Sequence, residues 1–101
     1  MEIQEGNKLI AEFDELLRDK DAYADGTFGY RWKDNYTYHL DQLQYHTSWD
    51  WLMPVWKKAN EIIIGNAELK ARILMAIADV EIEKAANYIV QLIQWHNNQH
   101  Q

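Results

Sequence analysis

His46 and Asp50 stand four residues apart beside a candidate helix start, and they are the pair best suited to general acid–base chemistry. A histidine titrates near neutral pH, and a carboxylate can orient it or take its proton. Backbone N–H groups gather at a helix start and favour negative charge there. The plainer reading is that His46 orders a connector and Asp50 supports the first helical turn. His39, Asp41 and His46 form a second set. Imidazole and carboxylate are zinc-ligand types, but this spacing matches no recognised zinc pattern. His96 and His100 are also four apart, with no carboxylate beside them in the tail. The chain has no cysteine, which excludes disulfides, thiol catalysis and thiolate metal sites. No nucleophile elbow or metallohydrolase pattern occurs, and the four glycines are too scattered to cradle a phosphate. The sequence therefore points to no cofactor and no metal, and leaves catalysis at His46/Asp50 as a minor reading.

Aromatic residues are the unusual feature: five Trp, six Tyr and two Phe in 101 residues. In a domain this small most large rings serve as core, and any left outside are candidate contact residues. Trp49 and Trp51 project about 200° apart on a helix, so they cannot form one aromatic cage. One of them is expected inside. Trp49, Trp56, Tyr38 and Tyr45 are the candidate partner-binding residues.

The net charge of −6 is unevenly spread. Residues 1–50 hold eleven acids and five bases, and residues 51–101 hold five of each. An acidic first half repels nucleic acid and anionic lipid and attracts basic partners. Direct nucleic-acid binding is not expected. No apolar run approaches the ~18 residues of a membrane span, and the polar start lacks the pattern of a signal peptide. These features lead us to expect a cytoplasmic protein.

The elements that must position these residues follow from periodicity. Leu9, Ile10, Phe13, Leu16 and Leu17 fall on one stripe of a 3.6-residue period. They predict a first helix, capped by Asn7 or begun a turn earlier at Ile3, fading near Arg18–Lys20. Asp19, Asp21, Asp25, Gly26 and Gly29 then break the pattern. Thr27, Phe28, Tyr30 and Trp32, then Tyr36, Thr37 and Tyr38, flank Lys33-Asp34-Asn35 and suggest a β-hairpin, with an irregular loop as the rival. Leu40 and Leu43 are expected anchors of the following connector. A second helix starts at Ser48 or Asp50 and carries Leu52, Val55, Trp56, Ala59, Ile62 and Ile63 on its apolar side. Its cap decides whether Pro54 falls near the first turn or inside the helix, where it removes a donor. Gly65 ends this helix in a left-handed conformation. Leu69, Ile73, Leu74 and Ile77 line a third helix. Asp79-Val80-Glu81 suggests a break before a fourth, through Ile82, Ala85, Ala86, Ile89, Val90, Leu92, Ile93 and His96. One merged helix over 67–97 is the alternative. The polar tail is expected to fray over 98–101.

Three blocks are distinctive: Gly6-Asn7-Lys8-Leu9-Ile10-Ala11-Glu12-Phe13, Tyr45-His46-Thr47-Ser48-Trp49-Asp50-Trp51-Leu52-Met53-Pro54-Val55, and Ile89-Val90-Gln91-Leu92-Ile93-Gln94-Trp95-His96-Asn97. In that order they resemble a family of small proteins encoded by phages and prophages of Bacteroidales bacteria. Those typically read GNKLIAEF, YHTSWDWLMPV and FIKWYN at the corresponding places. This chain departs at Asp14-Glu15, where many members have Met-Gly, at Trp56, where a smaller apolar residue is usual, and at His96, which replaces Tyr. The resemblance implies an origin in a mobile element, in a bacterial host's cytoplasm, and names no reaction.

Together these readings predict a single mostly helical α+β domain over 1–101: an N-terminal helix, a small β-hairpin, then three helices. The expected core is Leu9, Ile10, Phe13, Leu17, Trp32, Trp51, Leu52, Val55, Ile63, Ile73, Ile77, Ile82, Ile89, Leu92 and Ile93. The leading functional expectation is a non-enzymatic phage accessory protein that binds another protein. An acidic inhibitor of a host nucleic-acid-binding protein is the alternative, and a small enzyme using His46/Asp50 comes third. A homo-oligomer is left open.

Overall fold

The N-terminal apolar stripe does form a helix, α1 (Ile3–Phe13), which buries Ile10 and Ala11 completely. The structure, a computed structural model, describes residues 3–15, 17–19, 29–32, 36–39 and 42–99. Helix α1 is shorter than its periodicity predicts. Glu15 has a φ of 58°, a left-handed conformation that stops the helix. Leu17 therefore lies outside α1, in strand β1 (Leu17–Asp19). Asn7 is a buried helical residue, not the cap. Its Nδ2 donates to the Leu43 carbonyl at 3.2 Å, which ties the connector to α1.

The expected hairpin is present: β2 (Gly29–Arg31) runs antiparallel to β3 (Thr37–Tyr38). Tyr30 pairs with Tyr38, and the Trp32 N–H donates to the Tyr36 carbonyl at 2.9 Å. The sequence reading missed a third strand. β1 pairs antiparallel with β2, setting Arg18 opposite Tyr30, so the sheet order is β1-β2-β3. Two short strands are marginal in water, and a third partner on the other edge of β2 makes the sheet less so. Tyr30 is buried and Trp32 half-buried, as the alternation predicts.

The chain divides into two compact units, Met1–Leu43 and Gln44–Gln101. The second contains the remaining helices. α2 (Trp49–Ile62) has Ser48 at its N-cap position, extended with φ −133° and ψ 121°, although the Ser48 side chain makes no capping hydrogen bond. That choice puts Pro54 inside the helix, where it is tolerated on the exposed side. α2 buries Trp51, Leu52, Val55, Trp56 and Ala59. α3 (Ala67–Ala78) starts at Asn66, whose side chain accepts from the Leu69 N–H. α4 (Ile82–Gln99) follows the predicted break, in which Val80 takes a φ of 57°. α4 is the organising helix: α3 packs along it extensively and α2 to a smaller degree. It buries Ala85, Ala86, Ile89, Val90, Leu92 and Ile93. It stays helical to Gln99, into the segment expected to fray.

Most of the expected core is buried. Leu9, Phe13, Trp32, Ile77 and Ile82 are only half-buried, while Tyr30, Leu43, Tyr45, Trp56 and five alanines join the interior. Leu74 and Ile62, expected on apolar inner stripes, are instead 54% and 48% exposed. Expectations for the turns at Asp25-Gly26 and Lys33-Asp34-Asn35, for Phe28, Leu40, Asp41 and His100, and for the side chain of Leu17 fall outside the described residues. Among the described residues, no helix is long and apolar enough to cross a membrane.

Candidate functional site

His46 sits in the turn before α2 and is 5% exposed. Burial pulls its pKa below 6.5, while a hydrogen bond with the Asn87 side chain and the nearby Glu83 carboxylate oppose that pull. The polar groups that define its environment thus come from α4. Asp50 is exposed in the first turn of α2. A general base must reach its substrate's proton, and an imidazole this buried is poorly placed to do so. Its role in this arrangement is to join the 44–48 connector to α4. On the outer side of α4, an open hollow of about 690 Å³ is lined by Glu83, Lys84, Asn87, Tyr88 and Gln91, among others.

The candidate metal set is not assembled by the described residues. His39 lies beyond β3, where its backbone N–H donates to Gln42 Oε1 at 3.0 Å. Asp41 lies outside the described residues. Among the described residues no three His, Asp or Glu side chains are grouped to hold a metal ion.

The aromatic candidates divide. Tyr45 is fully buried, and its ring meets Trp51 edge-on, with centroids 5.5 Å apart and planes at 82°. That is a favoured aromatic geometry inside a core. Trp56 is also buried. Trp49 and Tyr38 are half-buried and retain some surface.

An apolar hollow open to solvent lies elsewhere in this unit, at the C-terminal ends of α2 and α4. Ile62, Ile64, Trp95, His96 and Gln99 line a hollow of about 470 Å³. It is built by the α2–α3 turn. Ile63 takes an extended conformation and enters the core, which throws Ile64 outward to 88% exposure. Gly65 follows with a φ of +100°, and Asn66 with a φ of 55°. The Trp95 indole closes over Gly65, so that a Cβ there would lie 3.1 Å from Cη2. Lys70 Nζ donates to the carbonyls of Asn60 and Ile63, satisfying backbone acceptors at the α2 terminus. The result is an isoleucine-rimmed hollow with a half-buried indole as one wall. Among the described residues that line it there is no carboxylate, and His96 is the one titratable side chain. Chemically it suits an apolar side chain presented by another molecule. Sequence reading singled out neither Ile64 nor Trp95 as a contact residue. The adjacent Gly65-Asn66, two residues prone to left-handed backbone, was the available signal.

No protein-family model, curated protein or solved structure matches this chain.

Proposed function

We propose that this chain is a non-enzymatic protein-binding module that receives an apolar side chain of its partner in the Ile62–Ile64–Trp95 hollow. The carrying observation is Ile64, 88% exposed at the rim of an apolar cavity with an aromatic wall. A large aliphatic side chain held out in water by a constrained turn gains on contact what it lacks in the free chain. The buried His46 supports a structural role over a catalytic one. The resemblance to phage and prophage proteins supports an accessory role in a mobile element, with a host protein as the partner.

The test is affinity capture from nuclease-treated Bacteroidales lysate, with the wild-type chain and Ile64→Glu compared side by side. The reading expects one stoichiometric protein on the wild type and its loss on the variant. Equal capture by both, or none by either, rejects it. The −6 charge on residues 1–50 favours a second reading, an acidic inhibitor of a nucleic-acid-binding protein. That reading expects added DNA to displace the captured protein and binding to fall steeply with salt, whether or not Ile64 is changed.

A further inference from the structure

Helix α3 ends on a residue ill suited to end it. Val80 has a φ of 57°. Its N–H donates to the Ile77 carbonyl at 3.0 Å, and the Glu81 N–H donates to the Ala76 carbonyl at 2.9 Å. That pair of bonds closes a helix around one left-handed residue, a place ordinarily taken by glycine or asparagine. Helix α2 is followed by such residues, Gly65 and Asn66. A β-branched side chain at positive φ is strained. Val80 is 70% exposed, so little packing of its own offsets that strain. Asp79, Val80 and Glu81 are the whole connection between α3 and α4, and none is glycine or proline. A straight helical path through them would give the N–H groups of Ile82, Glu83 and Lys84 acceptors at Ala78, Asp79 and Val80. The closed turn persists because it lets α3 pack along α4.

We propose that this hinge opens into one continuous helix over 67–99 and that two copies then exchange α4, forming a domain-swapped dimer. The contacts themselves select the occupant. α4 buries Ala85, Ala86, Ile89, Val90, Leu92 and Ile93, and swinging away from its own chain exposes all of them. The surface that fits this face is the one it left, on α3 and α2, now supplied by a second copy. The same contacts are rebuilt between chains, and only the two hinges change. Each straight helix is about 50 Å long. Two of them lie antiparallel, hinge beside hinge, and close as a two-fold pair.

The exchange reaches the apolar hollow. The Trp95 indole over Gly65 shows that the end of α4 meets the start of α3. In the dimer, Ile62 and Ile64 of one copy therefore face Trp95 and His96 of the other, and one hollow lies at each end of the helix pair. The swap does not require the hollow to bind anything, so it stands or falls independently of the proposed function.

A left-handed L-residue is disfavoured about 5–30-fold, and each dimer relieves two of them. Glycine takes positive φ freely and weakens a continuous helix. Val80→Gly should therefore lower the dimerisation constant on the order of a hundredfold.

Exchange requires α4 to leave its core, so the test is refolding from urea at about 10 and about 500 µM, followed by gel filtration with light scattering. A species of twice 12.1 kDa should grow with refolding concentration and, once isolated, persist for hours on dilution. Val80→Thr keeps the β-branch and the strain but removes an apolar contact, so it should dimerise as the wild type does. A dimer held by the exposed Val80 side chain would be lost in that variant. The chain has no cysteine of its own, which allows a direct reading of the exchange. An Ala67→Cys, Asn98→Cys chain is spin-labelled and refolded with excess unlabelled wild type. The distance within the labelled chain should be short in the monomer, where the helix ends meet, and about 45 Å in the dimer. Monomer alone at every concentration overturns the proposal. So does a dimer that dissociates within minutes, one indifferent to Val80→Gly or abolished by Val80→Thr, or a dimer that keeps the short distance.

Discussion

Gly65 and Trp95 form a mutually dependent pair: the indole of α4 occupies the space that any side chain at position 65 would need. A Cβ at Gly65 would lie 3.1 Å from Trp95 Cη2, and the backbone φ of +100° is itself one that L-residues rarely adopt. The turn that ends α2 and the wall of the apolar hollow are therefore set by one contact. Ile64, the residue before Gly65, is presented outward by that same turn.

Gly65→Ala should consequently act on stability and on the hollow together. The strained φ alone is expected to cost about 1–3 kcal/mol. The close contact requires the indole to give way by a few tenths of an ångström. Urea unfolding reads the first effect, and partner capture the second. Trp95→Phe, with Gly65 retained, should relieve the contact, keep the turn and weaken capture.

His46 should make the fold sensitive to mild acid. Its folded-state pKa is lowered from 6.5, chiefly by burial. The unfolded chain therefore holds more protons than the folded one between the folded-state pKa and 6.5. The stability contributed by neutral His46 is complete above that window and is lost as pH falls through it. Urea unfolding at about pH 7.5 and about pH 5.5 should show the wild type losing more stability than His46→Gln, in which carboxylate titration continues but the imidazole is gone. Equal losses in the two proteins would contradict this assignment.

Ile73 and Leu74 are adjacent in α3 and opposite in consequence. Ile73 is fully buried and Leu74 is 54% exposed. Ile73→Ala should cost about 2–5 kcal/mol through lost burial and a cavity. Leu74→Ala should stay within about 0.5 kcal/mol when unfolding is followed at low protein concentration. Chemical denaturation of the two variants in parallel provides the check.

Local patterning made the helical elements legible. The stripes of α2 and α4, the break at Asp79-Val80-Glu81 and the left-handed Gly65 follow from apolar spacing and backbone preference, which act over a few residues. The β2–β3 pairing was also legible, because two β-favouring runs lie close together in the chain. β1 was hidden. Leu17 extends the helical stripe of Leu9, Ile10 and Phe13, and only pairing with β2 and the left-handed Glu15 removes it from α1. Asn7 looked like a cap by residue type, yet it is buried and bound to a carbonyl 36 residues away.

The candidate site was less legible than the fold, for a related reason. Residue type marks Tyr45, Trp56 and His46 as contact or catalytic groups, but burial withdraws all three from the surface. Periodicity places Ile62 and Leu74 on apolar helix sides, and the structure leaves both exposed. The sequence by itself determined which segments become helix and where the acidic charge lies, since both depend on near neighbours along the chain. Only tertiary structure decided which apolar residues stay in water. An apolar face is buried only where another element arrives to cover it, and α4 covers one side of α3 and leaves the other open.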